Sequence, residues 1–144
     1  MSDVIEIAKT QIGTSEEPKG SNWGEAVEKY LRAVSINFPA PWCAAFVVWC
    51  HKEAGVDSIP HTGGVLDMWN KAYKQHAVLN PQPGDVFIQD HGGGNGHAGI
   101  VESVNGQTIN TIEGNTNDEG SREGYEVARR TRPVSSIKGF LRFS

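Results

Sequence analysis

Cys43, His97 and Glu113, with Asn115 two places further on, are side chains whose types and order suit nucleophilic catalysis. Cys43 follows Pro-Ala-Pro-Trp at the predicted start of an apolar helix. Unpaired N–H groups and the helix dipole at such a position favour the thiolate, which is the reactive form. A cysteine nucleophile also needs a base within reach, and the base needs an orienting group. The chain has five histidines. His51 shares the helix with Cys43 but lies eight positions on, about 12 Å by helix rise. His61 and His76 fall in or near connections, and His91 stands at the mouth of a glycine run. His97 alone begins a predicted strand, and the small Ala98 and Gly99 after it let another element approach closely. Glu113 and Asn115 point to one side of an extended segment. A hairpin turn at Asn105-Gly106 would pair residues whose numbers sum to about 211, setting Glu113 opposite about residue 98. A carboxylate or amide there would orient the imidazole, and Glu113 would also stabilise the imidazolium. Read singly, each of these residues also suits an ordinary structural role; the compatible register is what joins them.

The elements that must position these groups follow from periodicity. Asp3 and Glu6 suit a capping box ahead of Val4, Ile5, Ala8 and Ile12, with Gly13 as terminator. A second helix is predicted from Trp23 to Val34, a third from near Trp42 to Gly55, and a shorter fourth from Val65 to Tyr73. The third is apolar almost all round and should be central. After Pro81 the pattern turns to strands: Val86–Ile88, His97–Val104, Thr108–Glu113, Val127–Arg132 and Gly139–Phe143. Helices first and meander strands second predict an α+β fold, helices packed on an antiparallel sheet, in one domain over residues 1–144.

Several other functions are disfavoured. A net charge of −4 argues against nucleic acid as partner. No apolar run is long enough to insert into a membrane, and the N-terminus lacks the pattern of a signal peptide. The chain is therefore expected to be made in a cytoplasm and exported by some other device. Cys43 and Cys50, about 10 Å apart along one helix, are too distant for a disulfide. GNGHAG formally matches a dinucleotide fingerprint, but a strand rather than a helix follows it. Residues 115–126 imitate a calcium loop, with Asn rather than Asp at its first position. Cys43, Cys50, His51 and His97 lack zinc-site spacing. No cofactor is expected, calcium being the one weak candidate. Arg129, Arg130 and Arg132 read as a small basic patch on a solvated strand edge. Trp42, beside the nucleophile, and Trp69 are candidates for the walls of a substrate cleft.

The stretches PWCAAFVVWC, PGDVFIQD, GHAGIVESV and TIEGN, in this order, resemble the CHAP family of cysteine, histidine-dependent amidohydrolases and peptidases. The resemblance implies a papain-like fold. It implies hydrolysis of bacterial peptidoglycan at the N-acetylmuramoyl-L-alanine amide or at a stem or crossbridge peptide bond. Carried onto this chain, Cys43 is the nucleophile, His97 the base and acid, Glu113 the orienting residue and Asn115 a fourth polar member. Asn37 stands roughly where papain-like enzymes keep an oxyanion-binding glutamine. The acidic calcium loop of some members has no counterpart before Cys43. The resemblance leaves two deployments, a phage endolysin released through a holin and a secreted effector with an immunity protein, and a monomer is expected. The competing reading is a catalytically silent wall-binding or phage structural module on the same fold.

Overall fold

The structure, a computed structural model, describes residues 3–116 and 124–143. Four helices precede most of the sheet: α1 (Asp3–Thr10), α2 (Glu25–Arg32), α3 (Cys43–Glu53) and α4 (Val65–His76). The strands are β1 (Ala77–Val78), β2 (Val86–Gly92), β3 (Asn95–Asn105), β4 (Thr108–Thr116), β5 (Glu126–Pro133) and β6 (Gly139–Leu141). They form one antiparallel sheet in the order β1-β6-β2-β3-β4-β5. This is the α+β arrangement that the pattern predicts.

Boundaries shift for local reasons. α1 stops at Thr10, short of Gly13, and Ile12 beyond it is 36% exposed. α2 starts after Gly24, whose φ of 127° no L-residue adopts easily, so Trp23 lies outside the helix. α4 runs on to His76, and the two-residue β1 that follows is a strand the pattern did not show. α3 is the central helix: Ala44, Ala45, Phe46, Val47, Val48 and Cys50 are fully buried.

Alternation gives the sheet two apolar faces. Val86, Ile88, Ala98, Ile100, Ile112 and Leu141 join the main core with the helices. Phe87, Val101, Ile109 and Phe140 build a smaller cluster on the other face, beneath Val134 and Ile137. A single 3-10 turn, Val134–Ser136, carries the chain over that cluster.

The β3–β4 register departs from the expected one in two places. Asn105 pairs with Thr108, so the hairpin loop is Gly106-Gln107, one residue later than Asn105-Gly106. Gly106, at φ 63°, supplies the left-handed first position of that loop. An uninterrupted ladder from this turn would set Glu113 opposite Ile100, on the main-core face. A bulge intervenes: Ser103 pairs with Asn110 and Val101 with Thr111, so Glu102 is the extra residue. Ile100 then pairs with Ile112, which brings Glu113 opposite Gly99 and onto the face of His97.

Candidate active site

Cys43 is the first residue of α3, and Trp42 is its N-cap. Trp42 has no side-chain cap of its own; the Asn115 Oδ1 accepts its backbone N–H at 2.9 Å. The end of β4 is thereby tied to the residue before Cys43. The β3–β4 pairing reaches only to Ile100–Ile112. Beyond that point the backbone N–H groups of Ala98 and Ala44 reach the Cys43 sulfur.

His97 lies on β3 and Glu113 on β4, respectively 1% and 0% exposed. Gly99 is the reason they can meet. A Cβ there would fall 2.5 Å from the Phe87 ring and 2.7 Å from the Glu113 Cγ. With that space open, the carboxylate reaches diagonally and its Oε1 lies 2.8 Å from His97 Nε2. Nδ1 is buried without a hydrogen-bond partner, and the Cys43 thiol is the other group that acts on the ring. The ring is thus held at one nitrogen and offers the other to the sulfur.

The electrostatics agree with that division. Burial disfavours the Cys43 thiolate, but His97 and the two N–H groups outweigh it, and the thiol pKa is lowered. Burial disfavours the His97 imidazolium, but Cys43 and Glu113 raise it to about 9. Burial disfavours the Glu113 carboxylate, but Arg132 first and His97 second bring it down to about 2. Near neutral pH these directions favour a thiolate–imidazolium pair with an ionised carboxylate behind it.

Arg132 and Thr111 complete the carboxylate's surroundings, and the sequence reading missed both. Arg132 donates to Glu113 through Nε at 2.5 Å and Nη2 at 2.6 Å, and Thr111 Oγ1 donates at 2.6 Å. The arginine is not part of a solvated patch: its side chain is 14% exposed and lies over the Phe87 ring. Its neighbour Arg129 is exposed and pairs with Glu102. No local signal separates the two; alternation along β5 turns Arg132 and Arg129 to opposite faces.

The other expected site residues stand elsewhere. Asn115 contacts Trp42 and the carbonyl of Gly124, and no hydrogen bond joins it to His97. Trp42 is fully buried and donates its indole N–H to Glu16 at 2.7 Å, so it is core rather than cleft wall. Trp69 packs over Gly139 and stacks on Tyr73, beside a groove that does not include Cys43. Asn37 is exposed. The cleft at Cys43 holds about 200 Å³ and is walled by Ile36, Pro41, Val65 and the glycines 63, 64, 94 and 96. Gly94 and Gly96 place the glycine-rich hairpin of the sequence against this cleft. Its glycines answer a backbone demand, since Gly92, Gly93 and Gly94 take φ of 83°, 63° and 82°.

Cys50 is buried with its thiol pKa raised by burial, and His51 is pushed down to about 4 by burial, so both are uncharged near neutrality. Both cysteines are free thiols. Among the described residues no three His, Cys, Asp or Glu side chains are arranged to hold a metal ion together. Most of the calcium-loop imitation lies outside the described residues.

The family model of the CHAP domain matches residues 35–115. No curated protein matches the chain. Solved structures of similar fold include Ly7917, with a TM-score of 0.56 and 19% identity, covering 96% of this chain and 60% of that one. They also include the wild-type endolysin LysIME-EF1, with a TM-score of 0.56 and 16% identity, covering 97% of this chain and 62% of that one. Ly7917 determined with the hydrolyzing product of MDP aligns at a TM-score of 0.56 and 15% identity, covering 96% of this chain and 61% of that one. The chain therefore spans about three fifths of the length of each.

Proposed function

Because the chain belongs to the CHAP-domain family, we propose that it is a thiol-dependent hydrolase of amide bonds in bacterial peptidoglycan. The observation that carries this reading is the geometry at Cys43. A thiol at a helix N-terminus adjoins a histidine whose second nitrogen is held by a buried carboxylate.

In the proposed reaction the Cys43 thiolate attacks the scissile carbonyl carbon. The Cys43 backbone N–H, unpaired within the helix, donates to the developing oxyanion. The His97 imidazolium delivers its Nδ1 proton to the departing nitrogen, and an amine leaves. Water then attacks the thioester while neutral His97 takes its proton; the carboxylic acid departs and the thiolate–imidazolium pair returns. Glu113 keeps the ring oriented and its positive form favourable. The fate of the protons requires no metal, so turnover is expected to persist in EDTA.

The bond cut is the N-acetylmuramoyl-L-alanine amide or a stem or crossbridge peptide bond. Delivery is by a holin or by a secretion machine paired with an immunity protein; a neighbouring gene for one or the other distinguishes them. No described helix is long and apolar enough to cross a membrane. Mass spectrometry of digested muropeptides tests activity and bond together. New amino termini without new reducing sugar ends are expected, and Cys43→Ala should abolish them. Digestion that survives Cys43→Ala would refute the assignment.

A further inference from the structure

We propose that Arg132 is a positioning residue of the thiol site, a cation that acts through Glu113 to set the pH range in which the Cys43–His97 pair is charged. The inference deepens the proposed function and depends on it for the roles of Cys43 and His97. Arg132 lies on β5, outside residues 35–115 matched by the CHAP model.

Glu113 is wholly buried yet receives Nε and Nη2 of Arg132 on its two oxygens, at 2.5 and 2.6 Å. A two-pronged contact of this kind fixes the carboxylate plane as well as its charge. The Oε1 that receives Nη2 also faces His97 Nε2. The buried Phe87 ring adjoins both, its centroid 5.6 Å from the guanidinium and 6.0 Å from the imidazole centroid.

The charged form of this set is thiolate, imidazolium, carboxylate and guanidinium, with no net charge. Without the guanidinium it carries one uncompensated buried negative charge. A nearby positive charge lowers the pKa of every group around it, so its removal should raise Glu113, Cys43 and His97 together. The remaining neighbours supply no substitute. β4 presents Thr111, which is neutral, and β2 presents Phe87 and Gln89, also neutral, with the titratable His91 hydrogen-bonded to Gln89 beyond them. Arg130, opposite Thr111 on β5, shares that face, but its buried Nε has no hydrogen-bond partner and the groups that bring Glu113 down are Arg132 and His97; Arg129 is paired with Glu102.

The test measures the rate of iodoacetamide alkylation at Cys43 against pH, resolved from Cys50 by mass spectrometry, in wild type, Arg132→Gln and Arg132→Lys. It needs no substrate, so failure to digest peptidoglycan and failure of this inference remain distinguishable. In Arg132→Gln the alkylation midpoint should rise by about one pH unit, the order of effect of one unit charge acting through a buried, hydrogen-bonded neighbour. Arg132→Lys, which keeps the charge but not the fork, should stay near the wild-type midpoint. Where peptidoglycan hydrolysis is measurable, both limbs of its pH profile should move to higher pH in Arg132→Gln. A folded Arg132→Gln protein with the wild-type midpoint would overturn the inference. If Arg132→Gln does not fold, Arg132→Lys decides: a midpoint raised as far as about one unit would show that charge is not what matters.

Discussion

Replacing Glu113 by glutamine removes a charge while keeping the shape, so its consequences can be worked from the structure. The carboxylate accepts from His97, Thr111 and two nitrogens of Arg132. An amide offers one oxygen in place of two and turns an N–H₂ toward groups that are themselves donors. The lowering of the carboxyl from 4.5 to about 2 amounts to about 3 kcal/mol of native stability at neutral pH. Because the folded value is depressed, this contribution is complete above about 4.5 and is lost as pH falls through about 2. By pH 3 less than half of it remains. The raised His97 gives the complementary limb: its contribution is complete below 6.5 and is lost as pH rises through about 9. The two limbs describe one interacting pair and are not summed. Urea unfolding of wild type and Glu113→Gln should therefore differ by about 3 kcal/mol at pH 6 and by roughly half as much at pH 3. A gap below about 1 kcal/mol at pH 6, or one that does not narrow on acidification, would show that the carboxylate is not held as described.

Gly99→Ala places a methyl against Phe87 and Glu113, so a loss of about 1–3 kcal/mol is expected in thermal or urea unfolding, with slower Cys43 alkylation near neutral pH. Asn115→Ala leaves the Trp42 N–H and the Gly124 carbonyl without their side-chain partner, at about 1–3 kcal/mol, and the start of α3 should exchange its amide hydrogens faster. Asn115→Gly should lose the same hydrogen bonds while easing the φ of 60°, so it should be the more stable of the two in urea. Joint substitution of Gly93 and Gly94 by alanine forces two L-residues into left-handed backbone at about 1–2 kcal/mol each, read as a lowered unfolding midpoint; an unchanged midpoint would contradict the hairpin geometry.

The candidate nucleophile was legible because everything that marks it is local. Cys43 follows a proline-bracketed loop and opens an apolar helix, and the structure places it at the first residue of α3. His97 was legible in the same way, as the residue before Ala98 and Gly99 on a strand. The polar pair Glu113 and Asn115 was visible, but their separate positions were not. Asn115 adopts φ of 60°, which turns its amide to Trp42, and strand alternation cannot anticipate a left-handed residue at a strand end. Trp42 and Trp69 could not be assigned from sequence either, because a tryptophan at a helix start or on an amphipathic helix can face core or cleft. Burial and the Glu16 hydrogen bond settle Trp42 as core.

Residue types and chain order by themselves determined the chemistry available: a cysteine, a histidine and a carboxylate on a helix and two adjacent strands. Which face each side chain occupies was decided by the tertiary structure. The turn lies one residue later than Asn105-Gly106, which alone would set Glu113 opposite Ile100, and the bulge at Glu102 moves the ladder back by one to Gly99. Since sheet side chains alternate with period two, a ladder displaced by a single residue would put Glu113 on the face away from His97. The same parity sends Arg132 inward to the carboxylate and Arg129 outward to Glu102. Local sequence carries little record of parity, because it depends on where pairing begins and where it is interrupted, and both are set by packing between strands distant in the chain.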